Sequence, residues 1–99
     1  MDVVREFRNG ALRLRVLRHA AEAEVHGSWL TEELAARGHR VSPGTLYPLL
    51  HRLQEAGLLK SRTEVVDGRR VRRYRTTKRG KRVLADCKQV LADLADELE

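Results

Sequence analysis

The Ser42-Pro43 dipeptide and the leucines at 46, 49, 50 and 53 that follow it constrain the fold more than any other stretch of the chain. Serine is a preferred N-cap, and proline at the first helical position gives up an amide that has no intrahelical partner anyway. The leucines recur at steps of three and four, so they line one face of a helix that stops at Gly57. A second amphipathic pattern lies just upstream, a helix of about ten residues with Leu30 and Leu34 inward, Ser28 or Thr31 as its cap and Gly38 as its stop. Only Gly38 to Val41 separate the two, which is the spacing of a helix-turn-helix. Pro48 removes a backbone bond to Gly44, so a slight kink is expected there, tolerated because residue 44 has no side chain.

Around this pair the periodicity gives three further elements. From Val4 to Ala21 the apolar residues Phe7, Ala11, Leu14, Leu17 and Ala21, widened by Leu12 and Val16, predict a first helix that builds core. After Gly57, two extended runs flank Asp67-Gly68, a two-residue hairpin signal that predicts a wing. Alternation in the returning strand puts Tyr74 and Thr76 inward and the Arg73 and Arg75 guanidinium groups toward solvent. From Lys78 to Glu99, Leu84, Cys87, Leu91, Leu94 and Leu98 form an a/d seam, too short for an autonomous coiled coil, so it must lean on another helix such as the first. The expected fold is mainly α with a β-hairpin: a winged helix-turn-helix over residues 1–77 and a C-terminal dimerisation helix over 78–99, built as one structural unit.

Charge is distributed very unevenly. Residues 1–59 hold eight bases and seven acids, residues 60–82 hold eleven bases and two acids, and residues 83–99 hold one base and five acids. A net +9 in the middle block suits a polyanionic partner, and the interleaved Val and Tyr point to nucleic acid. The last helix is basic at its start and acidic at its end, against the helix dipole at both ends, so a functional constraint is inferred: one phosphate-facing strip from the wing into that helix.

Several classes are set aside. No apolar run approaches membrane-spanning length and the N-terminus lacks an h-region, so neither membrane nor secretion is expected. One cysteine excludes an intramolecular disulfide framework and fits a reducing cytoplasmic location. His19, His26, His39 and His51 share no metal-ligand spacing, and no phosphate loop, carboxylate pair or nucleophile-base signature is present, so no metal, cofactor or catalysis is expected. Four aromatic residues are too few for an RNA-stacking platform.

The run Val41-Ser42-Pro43-Gly44-Thr45-Leu46-Tyr47-Pro48-Leu49-Leu50, then Arg52-Leu53 and Gly57-Leu58-Leu59, resembles the recognition-helix signature of the PadR family of bacterial transcriptional regulators. His26-Gly27, Gly68-Arg69, Tyr74, Thr77 and Gly80 extend the resemblance over nearly the whole chain. It implies a homodimeric winged-helix repressor of an inverted-repeat operator in double-stranded DNA, paired through its C-terminal helix, with release by a small-molecule effector an open question. The sequence departs from the family at Ser28 and Trp29, where the family usually has an aromatic after Gly27 and a residue later, at Arg73 in place of a second Tyr, and at Thr76 in place of Leu.

On this reading Ser42, Pro43, Gly44, Thr45 and Tyr47 meet DNA at the helix start, and Arg69, Arg70, Arg72, Arg73 and Arg75 hold its backbone from the wing. Leu84, Cys87, Leu91, Leu94 and Leu98 build the dimer. Tyr47 is assigned to DNA rather than to packing, since the leucines already fill the apolar face, and Trp29 is assigned to the core. The rival is a winged-helix interaction module whose basic strip binds an acidic protein.

Overall fold

The computed structural model describes residues 1–99 as α1 (Val3–Glu22), β1 (Val25–His26), α2 (Gly27–Ala36), α3 (Pro43–Glu55), β2 (Leu59–Val66), β3 (Arg69–Thr76) and α4 (Lys78–Glu97). The β2–β3 hairpin turns at Asp67-Gly68, where φ is 51° and 75°. Both central residues of a type I′ turn need that left-handed conformation, and the turn matches the twist of the strands it joins. Strand β1 has no counterpart in the sequence reading, because two residues carry too little periodicity to announce a strand. It covers the free edge of β3, pairing Val25 with Tyr74 and His26 with Arg73, and the sheet order is β1-β3-β2.

The core draws on five elements: Val16, Leu17 and Ala20 of α1, Val25 of β1, Leu30 and Leu34 of α2, the four leucines of α3, and Leu59 of β2. Each such leucine contributes about 1.5–3 kcal/mol by leaving water. Thr76, buried at the root of the wing, satisfies its hydroxyl by donating to the Leu17 carbonyl oxygen at 2.7 Å. That bond fastens β3 to α1 and makes a polar side chain acceptable at an inward position.

The start of α4 is set by close contact. Thr77 Oγ1 accepts from the Gly80 amide at 3.0 Å and donates to the Gly57 carbonyl at 2.7 Å, capping the helix and tying it to the end of α3. Gly80 sits so close to the Leu58 carbonyl and the Thr76 methyl that a Cβ there would overlap both. Val83 and Leu84 then reach the edge of the core, and α4 packs along α1. Its first turn holds no acid and its last turn no base, as the charge pattern indicated.

Four local expectations need correction. Phe7 is 58% exposed and builds no core; its side of the first half of α1 is left uncovered, so the apolar periodicity continues where nothing packs on it. Helix α2 begins at Gly27 and its cap is neither Ser28 nor Thr31 but His26, whose Nδ1 accepts the Trp29 amide at 3.2 Å. Ser42 stands at the N-cap of α3, but its Oγ donates to Thr45 Oγ1 at 3.2 Å and caps no amide. Trp29 lies on the rim, 40% exposed, edge-on to His19 at 5.8 Å, and it is His19 that is buried.

Candidate nucleic-acid interface

With Leu46, Leu49, Leu50 and Leu53 turned into the core, α3 shows solvent its other side: Pro43, Gly44, Thr45 and Tyr47 in the first turns, His51 and Arg52 further along. Ser42 is exposed just ahead of them. His51 is engaged on its own helix, its Nε2 lying 2.7 Å from Glu55 Oε1. Tyr47 is packed and open to solvent at once. Its ring rests on Gly27, where any Cβ would collide with it, and the side chain is still 47% exposed.

The register of the hairpin divides the wing arginines between two faces. Pairing Lys60 with Arg75, Arg62 with Arg73 and Glu64 with Val71 puts these residues on one face. Ser61, Thr63 and Val65 share the other with Tyr74, Arg72 and Arg70. Ser61 Oγ donates to Gln54 Oε1 of α3 at 2.9 Å, so the second face is the one that looks toward α3. Arg70 and Arg72 are therefore on the side of α3, exposed and free of carboxylate partners. Arg69, Arg73 and Arg75 belong to the opposite face.

Two acids that the sequence reading passed over occupy that opposite face. Glu24, in the loop before β1, grips Arg62 with both carboxylate oxygens at 2.8 Å. Glu64 Oε2 accepts from Arg62 at 3.0 Å and from Arg73 at 2.9 Å. By bridging them, Glu64 lets two arginines stand directly opposite in the ladder without net repulsion. The hydrogen bonds hold both carboxyls below their ordinary range, Glu24 through Arg62 and Glu64 chiefly through Arg73, and they raise Arg62. Arg73 is thus a half-buried, ion-paired side chain and not the free, solvent-directed one that strand alternation suggested. No spacing in the sequence announces this cluster, because Glu24 and Arg62 are 38 residues apart and meet only through β1.

Beside the cluster, a recess of about 520 Å³ brings Lys60 and Arg75 together with Lys78 and Lys81 of α4. The basic strip from wing to last helix exists, but it lies on the face turned away from α3. At the other end of α4, Cys87 and Leu94 are half-buried while Leu91 and Leu98 are exposed; Leu84 alone of the seam reaches the core.

The arrangement is that of a known family: the model of the "Transcriptional regulator PadR-like family" matches residues 16–86. The chain belongs to the PadR-like family. It is 55% identical over 95 residues to the transcriptional regulator Rv3488 of Mycobacterium tuberculosis, a match covering 96% of this chain and 89% of that one. Among solved structures, a PadR family transcriptional regulator from Eggerthella lenta superimposes with a TM-score of 0.89 at 36% identity, over 96% of this chain and 84% of the other. A PadR-like transcriptional regulator from Bacillus cereus gives 0.79 at 28%, over 90% and 88%. The protein is a PadR-like transcriptional regulator with a mainly α winged-helix fold and a β-hairpin wing, and the family is one of regulators rather than enzymes. No helix of this regulator is long and apolar enough to cross a membrane.

Proposed function

We propose that this PadR-like regulator is a homodimeric repressor that binds an inverted repeat in double-stranded DNA. The observation that carries the reading is the composition of one side of the molecule. Every leucine of α3 is buried, its exposed start presents Thr45 and Tyr47, and the unpaired Arg70 and Arg72 stand on the same side. Short polar side chains at a helix start reach base edges in a major groove, while exposed arginines beside it hold phosphate.

Dimerisation is supported by apolar surface left open on two neighbouring helices. Val3 and Phe7 of α1, Val90 and Leu91 of α4, and Leu98 at its C-cap are all exposed, and a second copy would cover them isologously. In such a dimer the two recognition helices stand about 34–36 Å apart, one turn of B-DNA. The test has two arms. Selection of bound duplexes from a random pool should return an inverted repeat, and placing that repeat across a promoter should lower reporter output when the regulator is present. Light scattering at micromolar concentration should give a dimer, and a monomer with and without the selected duplex would remove the architecture.

A further inference from the structure

Counted along the chain, residues 1–59 are nearly neutral, but the fold does not keep them so. Glu22, Glu24 and Glu33 are each taken up in ion pairs with arginines elsewhere, and Glu55 lies against His51. A groove of about 740 Å³ remains between the first half of α1 and the turn joining α2 to α3, walled by Arg5, Arg8 and Arg15 on one side and by Arg40 and Thr45 on the other. Asp2 is the one acid at its edge; its carboxylate caps α1 by accepting the Arg5 amide at 2.9 Å and forms no ion pair with the arginines of the groove. None of the four arginines takes part in an ion pair. Four unneutralised guanidinium groups around one groove repel one another, and a line of anions relieves that repulsion.

We propose that this groove is a second phosphate-binding surface that takes the DNA backbone at the N-terminal end of α3. The proposal rests on the DNA-binding reading above and extends it. The wing meets α3 near its C-terminal end, at Gln54, while the groove shares Ser42 and Thr45 with the start of the helix. The recognition helix is thereby bracketed by basic surface at both ends.

Helix geometry favours a nucleic-acid strand as the occupant. Arg5, Arg8 and Arg15 follow one face of α1 over about 15 Å, the axial length of roughly four phosphates of one strand. Arginine's planar fork suits phosphate oxygens. The apolar stripe of Val3, Phe7 and Leu14 lies roughly a third of a turn away, so a second copy seated on that stripe leaves the groove open. The competing occupant is the acidic end of a partner's α4, where Asp93, Asp96 and Glu97 lie.

The test is a salt titration of the full chain carrying Arg5→Gln, Arg8→Gln and Arg40→Gln, on the selected duplex and on a random one. A parallel variant carries Arg70→Gln and Arg72→Gln, and light scattering and a thermal melt accompany both. The groove variant should melt and associate like the parent and weaken both duplexes equally. Its plot of log K against log salt should be shallower by about 0.9 for each phosphate that a protomer no longer neutralises. If the triple variant melts early, Arg8→Gln alone, at an exposed position, repeats the measurement. An unchanged slope in the groove variant, with the wing variant still flattened, overturns the groove and leaves DNA binding standing. An unchanged slope in both overturns DNA binding itself. Loss of the dimer with the slope retained gives the groove to the partner's α4 and overturns the proposal.

Discussion

The ring of Tyr47 occupies the space in which a Cβ on residue 27 would stand. Gly27 opens α2 and Tyr47 sits one turn into α3, so a single contact fixes the tyrosine at the seam between the two helices and leaves its outer part in solvent. Replacing Gly27 with Ala should expel the ring while leaving the leucine core intact. A melt close to that of the parent is expected, together with loss of preference for the selected duplex over a random one; retained preference would show that the placement of Tyr47 is unimportant for recognition.

At Gly80 the neighbour is less forgiving, because a Cβ would meet the Leu58 carbonyl, a backbone atom that cannot swing aside. Gly80→Ala should therefore cost about 1–3 kcal/mol through overpacking. In a chain of this size that lowers the melting temperature by about 4–8 °C per kcal/mol, which calorimetry would read.

The wing carries an electrostatic restraint of its own. Glu64→Gln keeps an acceptor oxygen but removes the negative charge that pairs with Arg62 and Arg73, so the variant should bind random DNA more tightly than the parent at low salt through the added net charge of the wing. Acid should act in the same direction. The Glu24 and Glu64 carboxyls are held below their ordinary value, so the stability they supply is present above about pH 4.5 and is lost as pH falls through their folded values. Denaturant melts from pH 6 to pH 3, compared between parent and Glu64→Gln, would check the sign; a parent no more acid-sensitive than the variant would contradict it.

His19 gives a separate signature nearer neutrality. Burial lowers its pKa, with Arg18 and Arg37 adding to the effect and Glu33 and Glu22 opposing it. A neutral folded form and a protonated unfolded form mean that stability is complete above about pH 6.5 and declines below it, by no more than about 1.4 kcal/mol per pH unit for one proton. His19→Phe should flatten the decline between pH 6.5 and 5, and an equally steep variant would assign it to other groups.

The helix pair, the hairpin and the family were legible because each rests on local signals: leucines at helical spacing, Pro43 at a helix start, Asp67-Gly68 at a turn. What escaped depends on distance in sequence. Strand β1 is two residues long and owes its existence to the edge of β3 beside it. The faces of the wing follow from register, which alternation alone cannot assign to Arg72 over Arg73. The charge count made residues 1–59 look inert because it summed acids and arginines that the fold sends to different faces. Phe7 obeyed helical periodicity and still lies outside the core, since periodicity identifies an apolar stripe and not what covers it.

The claim that α3 reads bases while the arginines on its side of the sheet hold phosphate is tested most directly by comparing Thr45→Ala with Arg70→Ala/Arg72→Ala. Each is titrated with salt on the selected and a random duplex. Thr45→Ala should lose about 1–3 kcal/mol on the selected duplex, little on the random one, and keep the parent's salt slope. The arginine pair should lose affinity for both duplexes alike, with a slope shallower by about 0.9 per phosphate released. The reverse pattern, with specificity lost in the wing and salt dependence lost in the helix, would contradict the account.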